Sequence, residues 1–136
     1  MAKIKPVLID TSAWILALRP GLSLEASSTI DKLISESRAV TLPVIILELL
    51  CGVKSRREHK ELKEDLAAIP SLLQDEAVWD SPYDLGYELK RAGLNLPAVD
   101  LIICGTALAH GCQVLHADKH FELVDKHTGL KTTSLL

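Results

Sequence analysis

The 136-residue chain is poor in aromatic side chains, poor in sulfur and without a surplus of positive charge. Phe, Trp and Tyr together make up 4% of it, so aliphatic side chains must fill its core, and at 48% apolar residues there are enough of them. The three cysteines, Cys51, Cys104 and Cys112, are odd in number and include no Cys-x-x-Cys pair. Lying in or just after apolar helical segments, they read as reduced, buried thiols of a cytosolic protein and not as a disulfide framework. Long apolar runs are missing as well. A secretory signal needs an uninterrupted apolar stretch of about 7–15 residues, and Lys3, Lys5, Pro6 and Asp10 leave none near the start. A membrane-spanning helix needs about 20 apolar residues, and Glu48 and Asp100 break the longest runs. The expectation is a cytoplasmic protein with no membrane partner. The formal net charge is -3, so no basic surplus announces a nucleic-acid partner.

No repeat, low-complexity tract or linker divides the chain, and residues 1–136 read as one domain. Short apolar runs over 5–9, 39–42 and 113–116 have strand character, with weaker strand candidates over 77–79 and 132–135. Helices are expected over 13–18, around 26–34, and over 43–53, 57–69 and 97–110. Apolar residues at helical spacing, such as Ala26, Ile30, Leu33 and Ile34, support them. Pro43 suits a first helical turn, and Gly111 suits a helix end. Ser81-Pro82-Tyr83-Asp84 has the pattern of a capped helix start. Strands alternating with helices predict an α/β fold with a mainly parallel central sheet.

Two carboxylates sit in apolar company. Glu48 lies inside Val44-Ile45-Ile46-Leu47-Glu48-Leu49-Leu50, and Asp100 inside Ala98-Val99-Asp100-Leu101-Ile102-Ile103. A buried carboxylate is costly unless it is paired, hydrogen-bonded, neutralised or bound to a metal. Two more acids, Asp10 and Asp118, follow apolar strands, and in open α/β sheets ligands bind outside the carboxyl ends of strands. Each acid also has a plainer reading. Asp10 suits a helix cap, Asp100 a favourable first-turn charge, Asp118 an ordinary turn and Glu48 a buried ion pair. The set of four makes the case for one cleft. Converging carboxylates repel, so a cation must hold them or some must carry protons. Oxygen-only ligation selects magnesium or manganese, and such a site suits hydrolysis of phosphate esters.

The motifs resemble those of PIN-domain nucleases, especially the VapC-type toxins of toxin–antitoxin pairs. Asp10-Thr11-Ser12-Ala13-Trp14-Ile15 resembles the opening motif. Residues 40–52, with Pro43 early and Gly52 four residues after Glu48, are similar to the second. Residues 97–107, with small residues after Asp100, look like the third, and residues 114–121 around Asp118 look like the fourth. The resemblance implies a three-layer α/β/α fold and a Mg2+- or Mn2+-dependent endoribonuclease. In it Asp10, Glu48, Asp100 and Asp118 hold metal and activate water, while Thr11 or Ser12 offers a hydroxyl. It also implies a homodimer silenced by a cognate antitoxin. Two positions depart from the pattern. His116 stands where the family often has Thr or Ser, and His120 where it often has Asp. These histidines suit phosphate contact or proton transfer, or else are plain surface residues.

Basic residues Lys54, Arg56, Arg57 and Lys60 follow the Glu48 helix, and Arg19, Lys90 and Lys119 are candidates for the same rim. They form either an RNA path or the solvated face of a helix laced with Glu58, Glu61 and Glu64. A zinc set of His110, Cys112, His116 and His120 is weak, because a strand separates its members. Two other functional classes compete. A phosphatase or receiver-type domain would need Asp-x-Asp after the first strand or a lysine after a later one. A degenerate PIN-like module would bind RNA or a partner without cutting.

Overall fold

A computed structural model describes residues 5–21 and 23–136. Its elements run β1 (Val7–Ile9), α1 (Thr11–Leu18), α2 (Leu24–Ser35), β2 (Ala39–Val40), α3 (Pro43–Cys51) and α4 (Arg56–Ala67). They continue with α5 (Glu76–Arg91), α6 (Ala98–His110), β3 (Gln113–His116), α7 (His120–His127) and β4 (Thr132–Ser134). The strands form one sheet in the order β2-β1-β3-β4, and every pair is parallel. Helices cover both faces, giving the α/β/α arrangement expected. Burial on both faces is why β1 is an unbroken apolar run and why Val114 and Leu115 stand side by side in β3. Val7, Leu8, Ile9, Val114 and Leu115 are all buried.

The core is aliphatic, as the scarcity of aromatics requires. Leu8, Ile9, Leu42, Ile45, Ile103 and Val114 are among the fully buried side chains, joined by the chain's single Phe, Phe121. From β1 the chain crosses through α1 and α2 to β2 on one side, whereas β3 pairs with β1 on the other. The strand order therefore reverses between β1 and β3. In doubly wound sheets the crevice at the carboxyl ends of such strands is where ligands bind.

Four expectations need correction. Residues 77–79 are not a strand but the first turn of α5, because Asp75 caps that helix by accepting the Val78 N–H at 3.0 Å. The helix therefore starts before Ser81 and runs through Pro82. Proline inside a helix removes one backbone hydrogen bond and crowds the preceding turn, at about 3 kcal/mol. Here Pro82 is buried against Gly105 of α6, where a Cβ would stand 2.5 Å from the Pro82 Cα. Helix α7 was not expected, since only Phe121 and Val124 mark its buried face. Cys51 ends α3 and is exposed, unlike the buried Cys104 and Cys112.

Closeness of the α5–α6 hairpin at Gly105 yields a test. Gly105→Ala drives a methyl group into Pro82 backbone atoms that cannot step aside, and overpacking of this kind costs about 1–3 kcal/mol. Gly86→Ala meets only the flexible end of Leu101, at 3.2 Å. Thermal unfolding should show a clear drop in Tm for the first variant and a much smaller change for the second.

Candidate active site

Asp10 directly follows β1, and its backbone N–H extends the β1–β3 ladder by donating to the Leu115 carbonyl at 2.9 Å. Its side chain is buried and caps α1, with Oδ2 accepting the Ser12 N–H at 2.9 Å. The Ser12 hydroxyl donates to the same oxygen. That hydroxyl also accepts the Ala117 N–H at 2.9 Å. One serine therefore ties the loop after β1 to the loop after β3, one residue before Asp118. The capping role and the site role of Asp10 coexist, because Oδ1 is not used by the cap.

Glu48 is held differently from expectation. It is exposed, not buried, because α3 buries only Ile45 and Leu49 and leaves Leu47 60% exposed beside it. No ion pair involves Glu48 among the described residues. Instead its Oε1 accepts the Thr11 hydroxyl at 2.6 Å. The two hydroxyls expected at the site are thus both engaged by acids, Thr11 by Glu48 and Ser12 by Asp10.

Asp100 lies in the first turn of α6, and its side chain is 18% exposed. Asp118 precedes α7 and accepts the His120 N–H through Oδ1 at 3.0 Å. The His120 ring faces both acids, with Nδ1 at 3.4 Å from Asp118 Oδ1 and 4.0 Å from Asp100 Oδ2. Asp100, Asp118 and His120 each bring a ligand atom within 4.8 Å of the others. His116 lies elsewhere. It is fully buried, stacked on Phe121 with ring centroids 5.0 Å apart, so it is neither a surface residue nor within reach of RNA. Its role is local, since Nδ1 accepts the Asp118 N–H at 3.2 Å. It ends β3, whose neighbouring residues Val114 and Leu115 are buried on opposite faces of the sheet, so a polar residue at this position is buried as well. The zinc set is not gathered either, because His110 lies ten residues, or about 15 Å, along α6 from Asp100.

Comparison with known proteins agrees with this geometry. Residues 7–127 match the family model of the PIN domain. The chain belongs to the PIN-domain family. It is 30% identical to ribonuclease VapC11 of Mycobacterium tuberculosis over 132 residues, covering 94% of this chain and 98% of that one. The same identity and coverage hold for VapC ribonuclease Mb1587 of Mycobacterium bovis. Among solved structures, VapBC2 of Rickettsia felis bound to a promoter DNA fragment superimposes with a TM-score of 0.80 at 14% identity, over 96% of this chain and 98% of that one. DNA-bound VapBC of Salmonella typhimurium gives 0.79 at 19%, again over 96% and 98%.

Around the PIN acids the basic residues divide. Arg19 and Lys54 line one groove with Glu48, Ile15, Leu18 and Glu58, and Lys54 and Arg56 line the next with His59. Arg57 is instead paired with Glu61 on the solvated face of α4, at 3.0 Å. Lys119 is exposed directly after Asp118. Lys60 and Lys90 are exposed on α4 and α5.

Burial, and then the mutual repulsion of the acids, sets the electrostatics of the PIN site. Burial raises the Asp10 pKa against the lowering pull of its Ser12 hydrogen bonds, and the Glu48 charge raises it further. Asp100 is pushed up to about 6 by burial first, then by Asp10 and Asp118, while His120 pulls it back. Burial and these acids also push the Cys104 thiol up. Burial lowers the His116 pKa, consistent with a neutral ring that carries its proton on Nε2.

A raised Asp100 pKa means that the native state holds this proton more tightly than the unfolded chain does. Its contribution to stability is therefore lost as pH rises from about 4 through about 6. Without divalent metal, the Tm advantage of Asp100→Asn over the unchanged protein should grow between pH 4 and pH 7 in calorimetry. A constant difference would show that Asp100 is not under this strain.

Proposed function

We propose that this PIN domain, taken over residues 1–136, is a Mg2+- or Mn2+-dependent endoribonuclease acting as the toxin of a toxin–antitoxin pair. The observation that carries the reading is the convergence of Asp10, Asp100 and Asp118 at the β1–β3 switch point, with Glu48 beside them. The non-catalytic reading rests on the departures at His116 and His120, and the presence of Asp10, Glu48, Asp100 and Asp118 speaks against it. The relatives that span nearly the whole chain are named ribonucleases, and the solved neighbours include toxin–antitoxin systems.

The donor set fits a hard divalent ion, since it is dominated by carboxylate oxygens. Asp10, Asp100 and Asp118 would hold Mg2+ or Mn2+, which would supply Lewis acidity to lower the pKa of water and shield phosphate charge. The protein does the rest. Ser12 fixes Asp10, and the Asp118 backbone is fixed through Ala117 on one side and His116 on the other. Thr11 fixes Glu48 through Oε1, leaving Oε2 to take the proton of the attacking water. Water then attacks phosphorus, the bond from phosphorus to the leaving ribose oxygen breaks, and that oxygen takes a proton from solvent. Arg19 and Lys54 in the groove with Glu48, Arg56 in the next groove and Lys119 beside Asp118 form the candidate RNA path, where they offset the charge of the backbone phosphates.

Partners follow from the same surface. The groove that holds Glu48 combines the exposed apolar side chains Ile15 and Leu18 with Arg19 and Lys54. That mixture supports an antitoxin segment seated there, and Leu47 supports a homodimer through α3. No helix among the described residues is long and apolar enough to cross a membrane, and the reading puts the enzyme in the cytoplasm.

Purified protein free of any antitoxin should cut RNA with Mg2+ or Mn2+ and stop when EDTA is added. Asp10→Asn and Asp100→Asn should each lower the cleavage rate by at least about a hundredfold, the scale of losing one electrostatic stabiliser of a transition state. Undiminished cleavage by either variant in a gel assay overturns the mechanism.

A further inference from the structure

His120 departs from the carboxylate pattern of the site, yet its ring faces the acids. We propose that His120 is a nitrogen ligand to the ion held by Asp100 and Asp118, and that it biases this PIN domain toward Mn2+ over Mg2+. The proposal rests on the reading of the site as a divalent-metal centre, which it deepens.

Geometry carries it. Bonds of roughly 2.1 Å place neighbouring ligands of an octahedral ion about 3.0 Å apart and opposite ligands about 4.2 Å apart. The separations of His120 Nδ1 from Asp118 Oδ1 and Asp100 Oδ2, 3.4 and 4.0 Å, lie inside that range. A charge-assisted hydrogen bond would be shorter, at about 2.7–2.9 Å, so neither distance describes a tight ion pair. Side-chain exposures of 57% for His120 and 38% for Asp118 leave room for an ion to enter. The His120 backbone N–H donates to Asp118 Oδ1 at 3.0 Å where α7 opens, which fixes residue 120 beside the acid. The other histidine near the acids, His116, is buried with Nδ1 already engaged, so it does not compete for the ion.

The choice of metal follows from donor chemistry. Mg2+ takes oxygen ligands and keeps several waters, whereas an imidazole nitrogen favours first-row transition ions. Of those, Mn2+ also suits carboxylates, and two of the three donors in the Asp100, Asp118 and His120 group are carboxylates, with Asp10 a third carboxylate beside them.

Electron paramagnetic resonance of Mn2+ bound to the full chain tests this without reference to cleavage. Pulsed spectra of the unchanged protein should show 14N coupling to Mn2+, and His120→Asn should abolish it. That variant should bind Mn2+ at least about tenfold more weakly, the lower end of what losing a metal-site partner costs, with a smaller change for Mg2+ in competition. His120→Asp should bind both ions with the preference shifted toward Mg2+. Bound Mn2+ without 14N coupling, or coupling that survives in His120→Asn, overturns the proposal and leaves the metal centre standing. Asp100→Asn should lose Mn2+ binding. No Mn2+ binding by the unchanged protein, or full binding by Asp100→Asn, overturns the metal-centre reading itself.

Discussion

Parallel pairing of β1 with β3 is the constraint on which the site depends. The register Val7 with Gln113, Leu8 with Val114 and Ile9 with Leu115 brings the ends of both strands to one level. Asp10 leaves the first strand and Asp118 follows the second, so the pairing alone delivers two acids to one edge. The Ser12 hydroxyl then locks the edge, reaching Asp10 with its proton and Ala117 with its lone pair. Asp100 arrives from a third direction, at the start of a helix whose buried middle packs into the core. A strand register, one serine and one helix start thus bring three carboxylates together.

The groups that hold these acids are neutral. Asp10 is held by the Ser12 hydroxyl and N–H, Glu48 by the Thr11 hydroxyl, and Asp118 by the His120 backbone. Neutral donors fix a carboxylate without cancelling its charge, which a lysine or arginine would do. The field therefore survives folding, and it adds to burial in pushing the Asp100 pKa up to about 6. This also recasts the formal charge of -3. The four site acids account for more than all of it, so the rest of the surface does not repel a phosphate chain.

Most of the sheet was legible because strands buried on both faces leave an apolar signature that no other short element shares. The acids at the strand ends were legible for the same reason, since each breaks such a run or follows it. Glu48 misled because apolar neighbours imply burial only where something covers the helix, and α3 is covered on one stripe alone. Pro82 misled because its capped-start pattern competes with an equally good cap at Asp75, and only the Gly105 gap across the hairpin decides between them. Helix α7 was silent because two apolar residues suffice to anchor it. His116 and His120, two residues either side of Asp118, looked alike in sequence. One points into the core and the other toward the acids, a difference of strand face and helix start that composition does not carry.

The sheet's margins carry a consequence for assembly. Its outer strands are β2, with two residues, and β4, a three-residue Thr-Thr-Ser segment. Edges so short offer few free backbone groups to a neighbouring chain, and the one next to β2 is partly occupied by the Thr41–Ser71 bridge. Strand-to-strand fusion of sheets, the route by which many α/β and β proteins stick to one another, has little to grip here. Among the described residues, the broad surfaces left open to a neighbouring chain are helical. Contact through helix side chains is divided among separate residues, so it can be weakened one substitution at a time.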